Sequence, residues 1–194
     1  MDRKKPSKKV QESPMTYNDY AKIDDGNRYE LASGTLEMLS GSKTSHQLLN
    51  LHLSHLLVDS CGEAFIIIPS PIDVIFSDKD VRQPDLVAVH RSRINIITDK
   101  GIEGAPDLVI EILSPNSIKR DRRDKMMTYA QYRVPEYWLI DPLSRVLEHY
   151  LLNADHYLLH DVYADDQPIQ SEKLACANFT MNALWARIPP LPNQ

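Results

Sequence analysis

Residues 106–115, PDLVIEILSP, have the composition of a β-strand meant for a protein interior, except that Glu111 interrupts the apolar run. An ionised carboxylate left unpaired away from water costs several kcal/mol, so it is normally neutralised, paired or bound to a metal ion. Side chains alternate along a strand, which places Asp107, Val109, Glu111 and Leu113 on one face. Asp107 cannot share an ion with Glu111. Four residues separate the two by roughly 13 Å, whereas the oxygens around Mg2+ lie about 2.0–2.1 Å from it. The partner must come from a neighbouring strand about 4.8 Å away, and QPDLVAV offers Asp85, with Val87 and Val89 on its face. Asp85 and Glu111 are the pair whose geometry allows one ion to be shared. Two structural origins remain open at this point: Asp85 as the end of a turn after Pro84, and Glu111 as a buried acid satisfied by an arginine or a backbone N–H. Asp73, in SPIDVIF, is a second acid inside an apolar strand and a lesser candidate, and Asp107 is expected to bond the Gly104–Ala105 loop.

A cation for such a site lies in KRDRRDK, residues 119–125, which holds five cations and two anions. In an α-helix Lys125 falls on nearly the same side as Ile118 and Tyr132, with Tyr129 one turn on, so it can reach the sheet. The alternative is a solvent-exposed Asp121/Lys125 pair, worth only a few tenths of a kcal/mol. His46, in the first turn of a helix and on the stripe of Leu49 and Leu53, either approaches the site or packs there. His52 and His55 belong on the helix surface, and no third ligand at zinc spacing accompanies them.

The elements that must position these residues are legible in the hydrophobic pattern. A short helix over 16–23 precedes RYELASGTLEML, a hairpin turning at Ser33-Gly34. SKTSHQLLNLHLSHLLVDSCG predicts a helix with Leu49, Leu53, Leu56 and Leu57 on one stripe, capped by Ser or Thr and ending near Gly62. EAFIIIPSPIDVIF and RQPDLVAVH predict two strands, followed by a loop and then the strand of Glu111. Ser114-Pro115-Asn116-Ser117 ends that strand and caps a helix over 118–133. EYWLID is a further strand, and RVLEHYLL with HYLLHDVY forms a closing hairpin. The expected fold is α/β: a mixed β-sheet flanked by helices, with extra β-hairpins at both ends.

Composition narrows the function classes. The 194 residues are 42% apolar and 25% charged, and no stretch approaches the roughly 20 apolar residues of a membrane span. The start, MDRKKPSKK, is basic but runs into QESP without the apolar region of a secretory signal. Two cysteines, Cys61 and Cys176, make a disulfide framework unexpected and point to a reducing, cytoplasmic setting. Residues 1–9 carry a net charge of +4, leaving −9 for the rest of a chain whose total is −5. An acidic body of this kind does not coat nucleic acid indiscriminately. Residues 1–14 are expected to be a disordered basic tail and 15–194 a single domain.

In order along the chain, RYELASG, SPIDV, QPDLVAVH, GAPDLVIEILSPNS and RDRRDKMMTYAQYRVPEYWLIDP resemble the Uma-type restriction endonuclease family, a branch of the PD-(D/E)xK nuclease superfamily. The resemblance spans roughly residues 28–151. It implies a restriction-endonuclease-like core, hydrolysis of phosphodiester bonds in nucleic acid, most readily DNA, and a Mg2+ or Mn2+ cofactor. Asp85 maps onto the PD aspartate and Glu111 onto the acidic position, with Asp85, Glu111 and the Ile112 carbonyl as metal ligands. Where the superfamily motif has lysine, this chain has Leu113; the resemblance moves that lysine to Lys125, which would orient the attacking water or stabilise the transition state. Glu30 in RYELASG matches an acidic position of the family, and His46 is a further candidate. The rival function is a catalytically degenerate binding or assembly module on the same fold, a homodimer built through the terminal hairpins. Metal-dependent stabilisation separates the two.

Overall fold

The computed structural model describes residues 14–192, which form two six-stranded sheets with helices packed against them. The basic tail expected at the N-terminus lies, apart from Pro14, outside the described residues. Helix α1 (Tyr17–Tyr20) is a single turn. It starts at Thr16, whose hydroxyl accepts the Asp19 N–H while the Asp19 carboxylate accepts that of Thr16. The expected hairpin follows as β1 (Tyr29–Ala32) and β2 (Thr35–Met38). Its turn residues Ser33 (φ 49°) and Gly34 (φ 78°) both occupy the left-handed region that a two-residue hairpin demands. Gly34 is also required sterically, since a Cβ there would lie 2.6 Å from that of Pro14.

Helix α2 (Thr44–Cys61) buries Leu49, Leu53 and Leu57, with Leu56 at the edge of the stripe. Its expected Ser or Thr cap is absent: Lys43 occupies the N-cap without a side-chain bond, and Thr44 is already helical. The two strands expected between residues 63 and 90 are four: β3 (Phe65–Pro69), β4 (Val74–Ser77), β5 (Asp80–Arg82) and β6 (Leu86–His90). The chain leaves one sheet after β3, pairs β4 with β5 in the other, and returns with β6. The loop expected next contains two short strands, β7 (Ile97–Thr98) and β8 (Gly101–Glu103), before β9 (Leu108–Ile112). After the Ser114–Ser117 turn, a π-helical segment, Arg120–Lys125, runs directly into α3 (Met126–Gln131). Strands β10 (Glu136–Asp141), β11 (Val146–Asn153) and β12 (His156–Tyr163) and a short α4 (Met181–Trp185) complete the order.

The first sheet runs β12-β11-β10-β9-β6-β3, with β9 parallel to β10 and antiparallel to β6. The second runs β2-β1-β5-β4-β8-β7. One face of the first sheet, with Leu86, Ile110, Trp138 and Ile140, packs on α2 and α4. The opposite face, with Val87, Val109, Tyr137 and Leu139, packs on Tyr129 of α3 and on Val74 and Ile102 of the second sheet. Odd-numbered residues of β9 therefore point into the seam between the sheets and α3, and Glu111 is one of them.

The structure refines one expectation and corrects another. The expected α/β fold, mixed β-structure flanked by helices with hairpins at both ends, is the one observed; its strands divide between two mixed sheets, because strand periodicity records which residues alternate and not which sheet they join. Cys61 and Cys176 are bonded in a disulfide that ties the end of α2 to the C-terminal segment. They lie 115 residues apart, a spacing with no motif, so only the packing of the C-terminal segment on α2 brings them together. The bridge removes the ground on which a reducing compartment was expected. No helix among the described residues is long and apolar enough to cross a membrane.

Candidate active site

The antiparallel register of β6 and β9 pairs Leu86 with Ile110. Carried one residue further, it sets Asp85 across from Glu111, as strand spacing and alternation predict. The Ile112 N–H donates to Asp85 Oδ2 at 2.8 Å, which fixes the carboxylate over the end of β9. The Asp85 carbonyl accepts from Asn50 Nδ2 at 2.9 Å and from the Ser70 N–H at 2.8 Å, tying this corner to α2. His46, also from α2, places Nε2 3.2 Å from Asp85 Oδ2 and 3.1 Å from the Ile112 carbonyl oxygen. His46 thus reaches the two oxygen groups that a metal ion would be expected to use.

On the other side of Glu111 the packing is fully buried. Glu111 Oε1 accepts from Lys125 Nζ at 2.8 Å and from the Tyr129 hydroxyl at 2.6 Å. The same ammonium lies 2.9 Å from Glu30 Oε1, which also accepts the Gln83 N–H at 2.8 Å. Arg82 supports Glu30 from 3.6 Å and donates to Thr128 Oγ1 at 2.9 Å. Lys125 and Glu111 are each 2% exposed and Glu30 is fully buried. Asp121 is buried as well, with Oδ1 4.0 Å from Lys125 Nζ, so the exposed Asp121/Lys125 pair considered as an alternative does not exist. The π-helical turn explains why α-helical phasing fails locally: Ile118, expected beside Lys125, is 42% exposed. One wider turn rotates the two positions apart.

Four acids share this pocket with three permanent cations and His46. Glu30, Asp85, Glu111 and Asp121 face Lys125, Arg82 and Arg120. Burial, opposed by Lys125 but reinforced by Asp121, Asp85 and Glu30, pushes the Glu111 carboxyl up to about 8. Burial would raise Glu30 too, but Lys125 and Arg82 more than offset it and hold that carboxyl below its ordinary value. Burial disfavours the charged forms of Lys125 and His46. Glu111 and Glu30 nonetheless push the ammonium up, and Asp85 pushes the imidazole up. Asp121 is pushed up chiefly by burial. Glu30 Oε2 and Asp121 Oδ1 are buried without a hydrogen-bond donor among the described residues.

This donor set fits a hard divalent cation in its chemistry, since Asp85, Glu111 and the Ile112 carbonyl offer oxygen groups only. Among the described residues no three His, Cys, Asp or Glu groups are arranged to hold an ion by themselves. An ion would therefore rely on Asp85, Glu111, the Ile112 carbonyl and water, as Mg2+ commonly does.

Other sequence candidates lie elsewhere. Asp107 accepts from the His90 N–H and from Arg93 Nη1, both at 2.8 Å, and anchors the loop after β6. Asp73 accepts from the Tyr20 hydroxyl at 2.9 Å and Gln83 Nε2 at 2.8 Å. His52 and His55 sit edge to face on α2, and among the described residues they belong to no group of three that could hold an ion. Sequence reasoning missed Asn50, Arg82, Gln83 and Arg120 as neighbours of the site. Arg82 and Gln83 directly precede Pro84-Asp85, but polar residues before a turn carry no signal of burial.

The family profile described as "Uma2: Putative restriction endonuclease" matches residues 15–183. Among solved structures, a "putative nuclease belonging to DUF820" from Anabaena variabilis ATCC 29413 superposes with a TM-score of 0.74 at 18% identity, covering 90% of this chain and 99% of that one. That likeness establishes the shared fold. No curated protein matches.

Proposed function

This chain belongs to the Uma2 restriction endonuclease family, and from that premise we propose that it is a Mg2+- or Mn2+-dependent endonuclease that hydrolyses phosphodiester bonds in DNA. The observation that carries this reading is the convergence, on the ends of β6 and β9, of Asp85 and Glu111 with the buried ammonium of Lys125. Asp85, Glu111 and the Ile112 carbonyl would hold the ion, which when bound lowers the pKa of a water molecule and offsets charge on the phosphate. The chain's own residues pre-organise that donor set. The Ile112 N–H fixes Asp85, while Lys125 and the Tyr129 hydroxyl fix Glu111 through one oxygen. Lys125 also keeps Glu30 ionised beside it and so sets the charge balance behind the site. His46 donates toward Asp85 and the Ile112 carbonyl, holding both in place through a single ring nitrogen.

One observation favours the rival, a degenerate module. The acids already have internal partners, Lys125 on Glu111 and His46 on Asp85. The two readings part on a cleavage assay of purified protein on duplex and single-stranded DNA, with Mg2+, with Mn2+ and with chelator, run beside Glu111→Gln. The nuclease reading expects metal-dependent cleavage lost in Glu111→Gln, together with a metal-dependent rise in melting temperature in the unsubstituted protein alone. Neither cleavage nor metal stabilisation in the unsubstituted protein would leave the binding module.

A further inference from the structure

Lys125 is the cation that the family resemblance assigns to the chemistry, yet its ammonium is engaged by Glu111 at 2.8 Å and Glu30 at 2.9 Å and is 2% exposed. A group so enclosed stands behind the carboxylates and has little surface to offer a phosphodiester. The next cation on the same segment differs in each respect. Arg120 opens the π-helical turn that Lys125 closes. Its side chain is 28% exposed, so it has access to solvent while much of it is buried. Its Nε is buried without a hydrogen-bond partner, and its nearest acid, Asp121, lies 3.7 Å away, beyond hydrogen-bonding distance. None of its side-chain N–H groups donates to a protein acceptor among the described residues. Burial disfavours its charge, but Glu30, Asp121, Glu111 and Glu37 more than offset that.

The other arginines near the site cannot take this role: Arg82 also has Nε and Nη1 without hydrogen-bond partners, but it is sealed from solvent, and Arg122 is paired. Arg82 is 3% exposed and bonded to Thr128, and Arg122 makes a two-pronged bond to Glu148 at 2.7 and 2.8 Å. Arg120 is a guanidinium held near the acids by their field and left with its donor capacity open. Planar, two-pronged donation to phosphate oxygens is the chemistry that such a group performs best.

We infer that Arg120 is the substrate-binding residue of this site, gripping a phosphate of the nucleic-acid strand beside Asp85 and Glu111, while Lys125 acts as a positioning residue behind them. This inference rests on the nuclease reading above. The test uses the full-length protein, a fluorescein-labelled DNA duplex and its single strand. Binding is measured with Ca2+ across a salt series and cleavage with Mg2+ or Mn2+, for unsubstituted protein, Arg120→Gln and Arg120→Lys. Arg120→Gln should bind more weakly, lose about one unit from the slope of log affinity against log salt, and cleave about 10²-fold more slowly. Arg120→Lys should recover the salt slope and only part of the rate, since it restores charge without the planar fork. Melting temperatures check that both variants fold, and should Arg120→Gln fail to fold, Arg120→Lys with its full salt slope and reduced rate carries the comparison. Unchanged slope and rate in a folded Arg120→Gln, or full cleavage by Arg120→Lys, would overturn the role of Arg120 while the nuclease reading survives. Absence of binding and cleavage in the unsubstituted protein would bring down the nuclease reading and this inference with it.

Discussion

Replacing Lys125 with methionine removes one charge from the most enclosed part of the site and keeps its length and much of its apolar bulk. Two carboxylates lose their ammonium, from 2.8 Å and 2.9 Å, in surroundings no more than 2% exposed. Breaking a buried ion pair from one side costs about 3–5 kcal/mol. The structure refines that figure. Glu111, pushed up to about 8, is already prone to hold a proton at neutral pH and keeps the Tyr129 hydroxyl as a donor. Glu30 bears the loss, because its depressed value depends on Lys125 and on Arg82, which lies 3.6 Å away. Protonating a carboxyl of ordinary value 4.5 at pH 7 costs about 3.4 kcal/mol, which falls within that range. The sign of the pH dependence follows. In the variant burial, no longer opposed by Lys125, pushes the Glu30 carboxyl up, so the variant loses stability relative to the unsubstituted protein as pH rises. Urea unfolding followed by tryptophan fluorescence should therefore show a loss of about 3 kcal/mol at pH 7 that becomes smaller toward pH 5. Adding Glu30→Gln to the variant should recover most of it, since an amide needs no counter-charge. A loss below about 0.5 kcal/mol, equal at both pH values, is what a solvent-exposed lysine would give and would refute the buried arrangement.

Three other perturbations probe the same frame. Tyr129→Phe removes the 2.6 Å donor to Glu111 with little change of shape, so it should cost about 1.5–3 kcal/mol of stability and lower metal affinity measured by calorimetry; unchanged values in both would show that Tyr129 does not fix Glu111. Asp85→Asn should abolish metal-dependent cleavage in a folded protein, whereas Asp107→Asn, which loosens the His90 and Arg93 bonds, should lower stability and leave cleavage intact. The reverse pattern in that assay would place the acid pair on the wrong strand. Opening the Cys61–Cys176 bridge with reductant, or by Cys176→Ser, should cost about 2–5 kcal/mol in urea unfolding, and identical curves with and without reductant would show that the bridge does not hold the C-terminal segment.

The sequence by itself carried the pairing of Asp85 with Glu111. Side-chain alternation and strand spacing are local, rigid properties of the backbone, and they sufficed to exclude Asp107. The terminal hairpins, α2 and the strand of Glu111 were legible for the same reason, as was the Ser33-Gly34 turn, whose left-handed residues are a local demand. What only tertiary structure decided depended on contacts between distant segments. Residues 65–82 alternate like strands whichever sheet they join, so their division between two sheets could not be read. Helical phasing assumed an α-helix through residues 118–133, and the π-helical turn at Arg120–Lys125 rotated Ile118 outward while Lys125 and Asp121 became buried. Cys61 and Cys176 met only because the C-terminal segment folds back along α2. Arg120 looked like any cation in a charged run. Its open donors exist because the acids around it lie close enough to hold its charge and too far away to accept its protons, a balance of distances that residue types alone do not encode.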